Sequence, residues 1–292
     1  ALKSTNAKVF FVQEVKQQST GRIVSDYLKS FQLFELVRKA EKVAGGGLMF
    51  GVDRELHAVQ VRQGDDEVEC LSVVVSVPGV DIRAVCGYGP QRRDSARRKS
   101  LFWEYLNMEV QLAEANNQIL IIQMDSNCYA GSQIIPNDPN PQNENGKYLK
   151  SYLKRNPSMR VVNGSSICVG LITRQRNTTL REERAVLDVF IVCVRSLPFI
   201  RSMKVDEKGE LRLSNFHNVR GGQNTTHSDH NMVTLNCKFP ISRTKPKRTE
   251  LFDFKNKEGQ QLFKDLTTQT NKLSQCFEDK TPFFMLLSQV LY

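Results

Sequence analysis

The sequence has no apolar run approaching the roughly 20 residues that a membrane-spanning helix needs, which sets aside a protein anchored by helical spans. It has no Cys-x-x-Cys pair, so a zinc ribbon or a thioredoxin-like redox centre has nothing to be built from. Neither GxGxxG between a strand and a helix nor GxxxxGK[ST] occurs, and the two common nucleotide-cradling loops are thereby excluded. No internal repeat is visible. Histidine is scarce, with four in the chain, and tryptophan occurs once.

What is present is globular. The 292 residues are 40% hydrophobic and 25% charged, enough for one large domain with an appendage or for two ordinary domains. The formal charge of +10 favours a polyanionic partner, nucleic acid or phosphorylated substrate ahead of an anionic membrane. The seven cysteines (70, 86, 128, 168, 193, 237 and 276) are odd in number and widely spaced, and several lie in apolar runs. They read as reduced core thiols of a cytoplasmic or nuclear protein. Acceptor patterns for glycosylation at Asn163, Asn177 and Asn224 read as chance matches, since nothing like a secretory signal precedes them.

Strands are expected at "KVFFVQ", "HAVQVRQ", "EVECLSVVVSVPG", "VDIRAVCGYGP" and "ILIIQMD", and on either side of the Gly45 to Gly47 turn. Phe102, Leu106, Val110 and Ala113 recur at helical spacing, with Asp94 or Ser95 as N-cap. The loop "IIPNDPNPQNENG", a short helix "GKYLKSYLKRN" and the strand "MRVVNG" follow. The segment from Ser166 to Ser196 reads as two strands around an arginine-bearing turn, and "MKVDEKGELRLS" as a charged hairpin. "THSDHNMVTLNCKF" reads as a strand that starts on a polar cluster. From residue 241 the composition turns to a basic linker, "SRTKPKRTE", and an amphipathic helical tail, so the expected division is 1–240 and 241–292. Alternating strands and helices argue for an α/β domain.

Five strands share one design, in which an apolar run ends on polar groups. They deliver Gln13 and Glu14, Tyr88, Asp125 with Asn127, Asp188, and the "HSDH" of residues 227 to 230. A buried carboxylate without a partner costs several kcal/mol, so these ends are expected to meet on a common rim. Carboxylate and amide oxygens in such a set suit a hard cation, Mg²⁺ before zinc, and leave an Asp and a His for proton transfer and charge stabilisation.

In that order, "QE", "YGP", "DSN", "LDVF" and "SDH" resemble the motifs of the endonuclease/exonuclease/phosphatase superfamily, the fold of DNase I. The "FW" helix after "YGP" and the tail type make the chain most similar to the endonuclease domain of non-LTR, LINE-like retrotransposons. The resemblance implies a DNase I-like four-layer α/β sandwich of two packed mixed sheets flanked by helices. It implies a Mg²⁺-dependent DNA-nicking enzyme, with Mn²⁺ as an alternative ion and a reverse transcriptase downstream in the full-length protein. Glu14 would be the principal metal ligand with Asp229 beside it. Asp125 would move the proton, Asn127 and Tyr88 would hold the scissile phosphate, and His230, oriented by Asp188, would counter its developing charge. Arg92, Arg93 and Arg97 at the helix start, and Arg174, Arg176 and Arg181 around the later turn, would contact the DNA backbone.

Two departures stand out. The family's opening strand delivers an Asn to the metal site, and nothing before "ALKSTNAKVFFVQE" supplies it, Asn6 lying too close to the strand. The first strand is therefore expected to be missing. Met124 stands where a Gly usually precedes the Asp. Two rival functions are a phosphatase of the same superfamily, acting on inositol phosphates or phospholipid headgroups, and a catalytically impaired nucleic-acid-binding remnant.

Overall fold

The computed structural model describes residues 7–15, 28–37, 47–177, 182–210, 214–219 and 222–239. The expected linker and tail, Cys276 and Arg181 lie outside them. No helix among the described residues is long and apolar enough to cross a membrane.

Strands β1 (Val9–Gln13), β2 (Phe31–Leu36) and β3 (Leu48–Asp53) form an antiparallel sheet in the order β1-β3-β2. They are followed by β4 (His57–Gln63), β5 (Cys70–Val77), β6 (Val80–Tyr88), helix α1 (Ala96–Ala115), β7 (Ile119–Asp125), helix α2 (Glu144–Arg155) and β8 (Met159–Val161). The rest comprises β9 (Cys168–Val169), β10 (Arg174–Asn177), β11 (Glu182–Ala185), β12 (Asp188–Cys193), β13 (Ile200–Val205), β14 (Ser214–Val219), β15 (Gly222–His227) and β16 (Val233–Cys237). A six-stranded sheet of order β4-β5-β6-β7-β12-β8 is the centre of the domain. Its β6/β7 pair is parallel, bridged by α1, and its other pairs are antiparallel. Mixed sheets with helices are what the sequence led us to expect.

Burial explains the composition of the middle strands. Every residue of β7 and β12 is buried, so both faces are covered and the sequence reads as a continuous apolar run. On one face lies α1, which buries Phe102, Leu106, Val110 and Ala113, the residues expected from the helical period. Ser95 is its N-cap, accepting from the Arg98 amide at 3.2 Å. The fully buried Glu109 of α1 accepts from Arg83 at 2.6 Å and Arg62 at 3.0 Å, a paired charge that ties the helix to the sheet. The opposite face carries the β1-β3-β2 sheet. A further three-stranded sheet has the order β16-β13-β9.

Two expectations about strands were too simple. Among the described residues, the segment from Ser166 to Ser196 forms four short strands instead of two. Gly170, at φ +79°, breaks the chain after β9, and the Thr173 hydroxyl accepts from the Leu187 and Asp188 amides, separating β11 from β12. The first arm of the expected charged hairpin, β13, pairs instead with β16 and β9, residues 211–213 of the second arm lie outside the described residues, and β14 pairs with β15. The six described cysteines are free thiols. Asn163 is buried and bonded to the backbone at Asp188 and Phe190, so it cannot be a glycan acceptor.

Candidate active site

Sheet register brings the site together. Tyr88, Asp125 and Asp188 lie on one row across the neighbouring strands β6, β7 and β12, each paired with the next. Side chains on such a row share a face, and this one lies beside β1. Gln13 of β1 donates to Gln123, two residues before Asp125. Glu14 follows and accepts from the Tyr88 hydroxyl at 2.5 Å. Gln91 donates to the same hydroxyl at 3.0 Å. Burial, then the bond it donates to Glu14, pushes the Tyr88 pKa up, so the phenol keeps its proton.

His230 faces this row from the loop between β15 and β16. Its Nδ1 lies 2.8 Å from Asp188 Oδ2, and its Nε2 lies 3.9 Å from Asp125 Oδ2. Asp125 is 4% exposed and Asp188 7%, while the His230 side chain is 30% exposed. Burial, reinforced by the charge of Asp188, lifts the Asp125 carboxyl to about 7, against the opposing effects of His230 and the Asn127 amide. Burial alone would lower His230, but the charge and bond of Asp188, with Asp125 and Asp229, raise it to about 9. The arrangement is a proton-sharing cluster: an acid that titrates near neutrality beside an imidazolium whose orientation a second carboxylate fixes.

The loop carrying Asn127 is tightly built. The Asn127 amide N–H donates to Asp125 Oδ1 at 3.0 Å, and its side-chain amide donates to the Gly89 carbonyl at 2.9 Å. Gly89 itself donates to the Asp125 carbonyl at 2.6 Å. A Cβ on Gly89 would sit 2.5 Å from the Ser126 carbonyl oxygen, so this crossing requires glycine. Glu14 and Asn127 both hold positive φ, 54° and 47°. For a glutamate this left-handed backbone costs about 1–2 kcal/mol, strain of a kind that gathers at functional sites.

Asp229 sits one residue from the cluster and is engaged by Arg174, whose Nε donates to its Oδ2 at 2.8 Å. Burial would raise this carboxyl, but the Arg174 bond and charge hold it below the usual range. Backbone bonds from Gln175 to the Asp229 carbonyl and from Asn231 to the Thr173 carbonyl fasten the loop to β10. Arg174 is thus drawn to Asp229, whereas Arg176 is exposed. Arg92, Arg93 and Arg97 are exposed ahead of and at the start of α1, with Arg97 3.3 Å from Glu67. Sequence reasoning missed Gln91, Thr173 and Asn163 as supports, each a polar residue in a segment that reads as loop or strand margin.

Among the described residues, Asp125, Asp188 and His230 offer ligand-type atoms within 4.8 Å of one another. The bond of His230 to Asp188 and the charges around it favour its protonated form, so the same three groups can also handle a proton. Glu14, bonded to Tyr88, and Asp229, bonded to Arg174, carry carboxylate oxygens of the type that a hard divalent cation takes.

No known family model matches the chain, and no curated protein matches it. Solved structures do. The endonuclease domain of TRAS1, a telomere-specific non-LTR retrotransposon, matches with a TM-score of 0.56 at 17% identity, over 82% of this chain and 89% of that one. The 3'-5' exonuclease NExo from Neisseria meningitidis matches with a TM-score of 0.55 at 14% identity, over 82% and 92%. The human Nocturnin catalytic domain matches at 0.52 and 13%, over 82% and 83%. The chain therefore has the DNase I-like fold.

Proposed function

We propose that the protein is a metal-dependent phosphodiester hydrolase that nicks DNA, of the type carried by non-LTR retrotransposons. The observation that carries the reading is the row Tyr88, Asp125, Asp188 with His230 bonded across it, set on a DNase I-like fold. In this reading Asp125 takes the proton of the attacking water, or returns one to the leaving oxygen. A carboxyl with a pKa near 7 is matched to that work. His230, held cationic by Asp188, counters the charge that grows on the phosphate. Tyr88, bonded to Glu14, and Asn127 orient the phosphate. Glu14 and Asp229 would hold Mg²⁺ or Mn²⁺, which when bound supplies Lewis-acid stabilisation of the phosphate oxygens. Removing one such charge-stabilising group costs roughly 10² to 10³ in rate.

The exposed Arg92, Arg93, Arg97 and Arg176, with Arg174 and Arg181, are proposed to contact the DNA backbone, in keeping with the net charge of +10. Residues 1–240 would form the catalytic domain, with 241–292 leading toward a reverse transcriptase. The retrotransposon reading rests on the motif order and on the likeness to the TRAS1 endonuclease domain. A Bacteroides mannosyl-6-phosphatase shares the fold at a TM-score of 0.51, so a phosphomonoester is the control substrate. Turnover of supercoiled plasmid, an inositol phosphate and a phosphoinositide, each with Mg²⁺, tests the reading. Nicked circles without phosphate release are expected, and release of inorganic phosphate without nicking would overturn it.

A further inference from the structure

Behind the site, the N-terminus of α2 is built into the two loops that shape it. Asn143 caps the helix, accepting from the Gly146 amide at 2.8 Å and from the Tyr129 amide at 3.2 Å. A Cβ on Gly146 would lie 2.0 Å from the Tyr129 carbonyl oxygen, so the helix and the loop after β7 touch backbone to backbone. Between these residues stands Asn145, which is 3% exposed. Its side-chain NH₂ donates one hydrogen to the Pro90 carbonyl at 2.8 Å and the other to the Asn127 carbonyl at 3.1 Å.

Pro90 belongs to the turn that carries Tyr88, and Asn127 to the loop that carries Asp125. The same two segments meet on their other side through the bonds of Gly89 with Asp125 and Asn127. Both partners of Asn145 are carbonyl oxygens, so the orientation of its amide follows from chemistry: a flipped amide would set oxygen against oxygen. Its own Oδ1 is buried without a hydrogen-bond partner among the described residues. A buried polar atom left unbonded is unfavourable and calls for a reason. Here the reason is the pair of bonds made by the other end of the amide.

We propose that Asn145 is a positioning residue for the site, a clamp that fixes the Tyr88 to Pro90 turn against the Asp125 to Asn127 loop. This rests on the hydrolase reading for its consequence in rate, but not for its structural consequence. Asn145 lies behind the loops and touches no reacting atom; it sets the distance between the phenol and amide that orient the phosphate and the carboxyl that moves the proton. Misplacement by about 1 Å at this level costs about 10²-fold in rate.

The test compares Asn145→Ala and the near-isosteric Asn145→Leu, neither of which can donate, with Asn156→Ala. Asn156 stabilises the other end of α2 through Tyr152 and Asn107. In plasmid nicking, both Asn145 variants are expected to lose about 10²-fold in kcat with KM unchanged, while Asn156→Ala loses thermal stability and keeps kcat. Hydrogen exchange provides a readout that needs no substrate. The Gly89 and Asn127 amides should exchange about tenfold faster in Asn145→Ala and not in Asn156→Ala. Unchanged exchange at those amides, or equal acceleration in Asn156→Ala, overturns the clamp. Wild-type protein that fails to nick, with exchange changed as expected, overturns the hydrolase reading and leaves the clamp standing.

Discussion

Replacing Asp125 by Asn should make the protein more stable at pH 8 and inactive. Burial and the neighbouring Asp188 lift this carboxyl from 3.8 to about 7. At about 1.36 kcal/mol for each tenfold change in the acid's dissociation, the ceiling is about 4 kcal/mol. A carboxyl whose folded-state pKa lies above its unfolded value favours folding while it holds its proton. The contribution is complete below about 3.8 and is lost as pH rises through about 7. The amide of the Asp125→Asn variant stays neutral throughout, so the variant escapes the loss. That ceiling already contains the opposing attraction of His230 at 3.9 Å, so the expected net gain at pH 8 is up to about 4 kcal/mol. For a domain of this size that corresponds to a rise of up to about 8 to 16 °C in Tm. The assay is thermal unfolding of both proteins, treated with chelator, at pH 5, 6, 7 and 8. The advantage of Asp125→Asn should shrink by about 2 to 3 kcal/mol from pH 7 to pH 5, where wild-type Asp125 regains its proton. A variant that is less stable at pH 8, or a difference that does not vary with pH, would refute this account of the Asp125 environment. Such an exchange of stability for function is usual where an active site holds strained or buried charge.

Other outcomes follow from the same geometry. Gly89→Ala drives a Cβ into the Ser126 carbonyl, so it should lower kcat about 10²-fold and destabilise the fold by about 1–3 kcal/mol, measured by nicking and urea unfolding. The rate of hydrolysis should rise as pH passes about 7, where Asp125 gives up its proton, and fall above about 9, where His230 loses its own; His230→Asn should abolish the alkaline limb. Changing Arg92, Arg93 and Arg97 together to Ala should weaken DNA binding on every sequence. Their combined loss should flatten the salt dependence of binding by about 0.9 in log–log slope for each phosphate contact removed, measured by titration at several salt concentrations.

The carboxylates were legible because each breaks an apolar pattern. Asp125 and Asp188 close or open strands that are otherwise almost wholly apolar, and such a residue in a core strand must have a partner. That they share one row with Tyr88 was not legible, since register depends on how three strands separated by a helix and long connecting segments come together. The partnership of Arg174 with Asp229 joins residues 55 apart and carries no local signal. Asn145 was hidden for another reason: in "NPQNENG" its side chain looks like one more turn former, and only tertiary contact shows what it donates to. The turn after β13 has the expected chemistry at Gly209, φ +68°, while β13 itself takes longer-range partners, β16 and β9, that carry no local signal. Left-handed backbone at Glu14 likewise has no sequence mark, because a glutamate gives no hint of positive φ.

The most direct measurement of the central claim is conversion of supercoiled plasmid to nicked circle by the protein and by Glu14→Gln and His230→Asn, with Mg²⁺ and with chelator. Nicking that requires the metal and falls by roughly 10² or more in each variant is the expected result. Nicking that survives chelation, or that Glu14→Gln and His230→Asn perform at the wild-type rate, would contradict it.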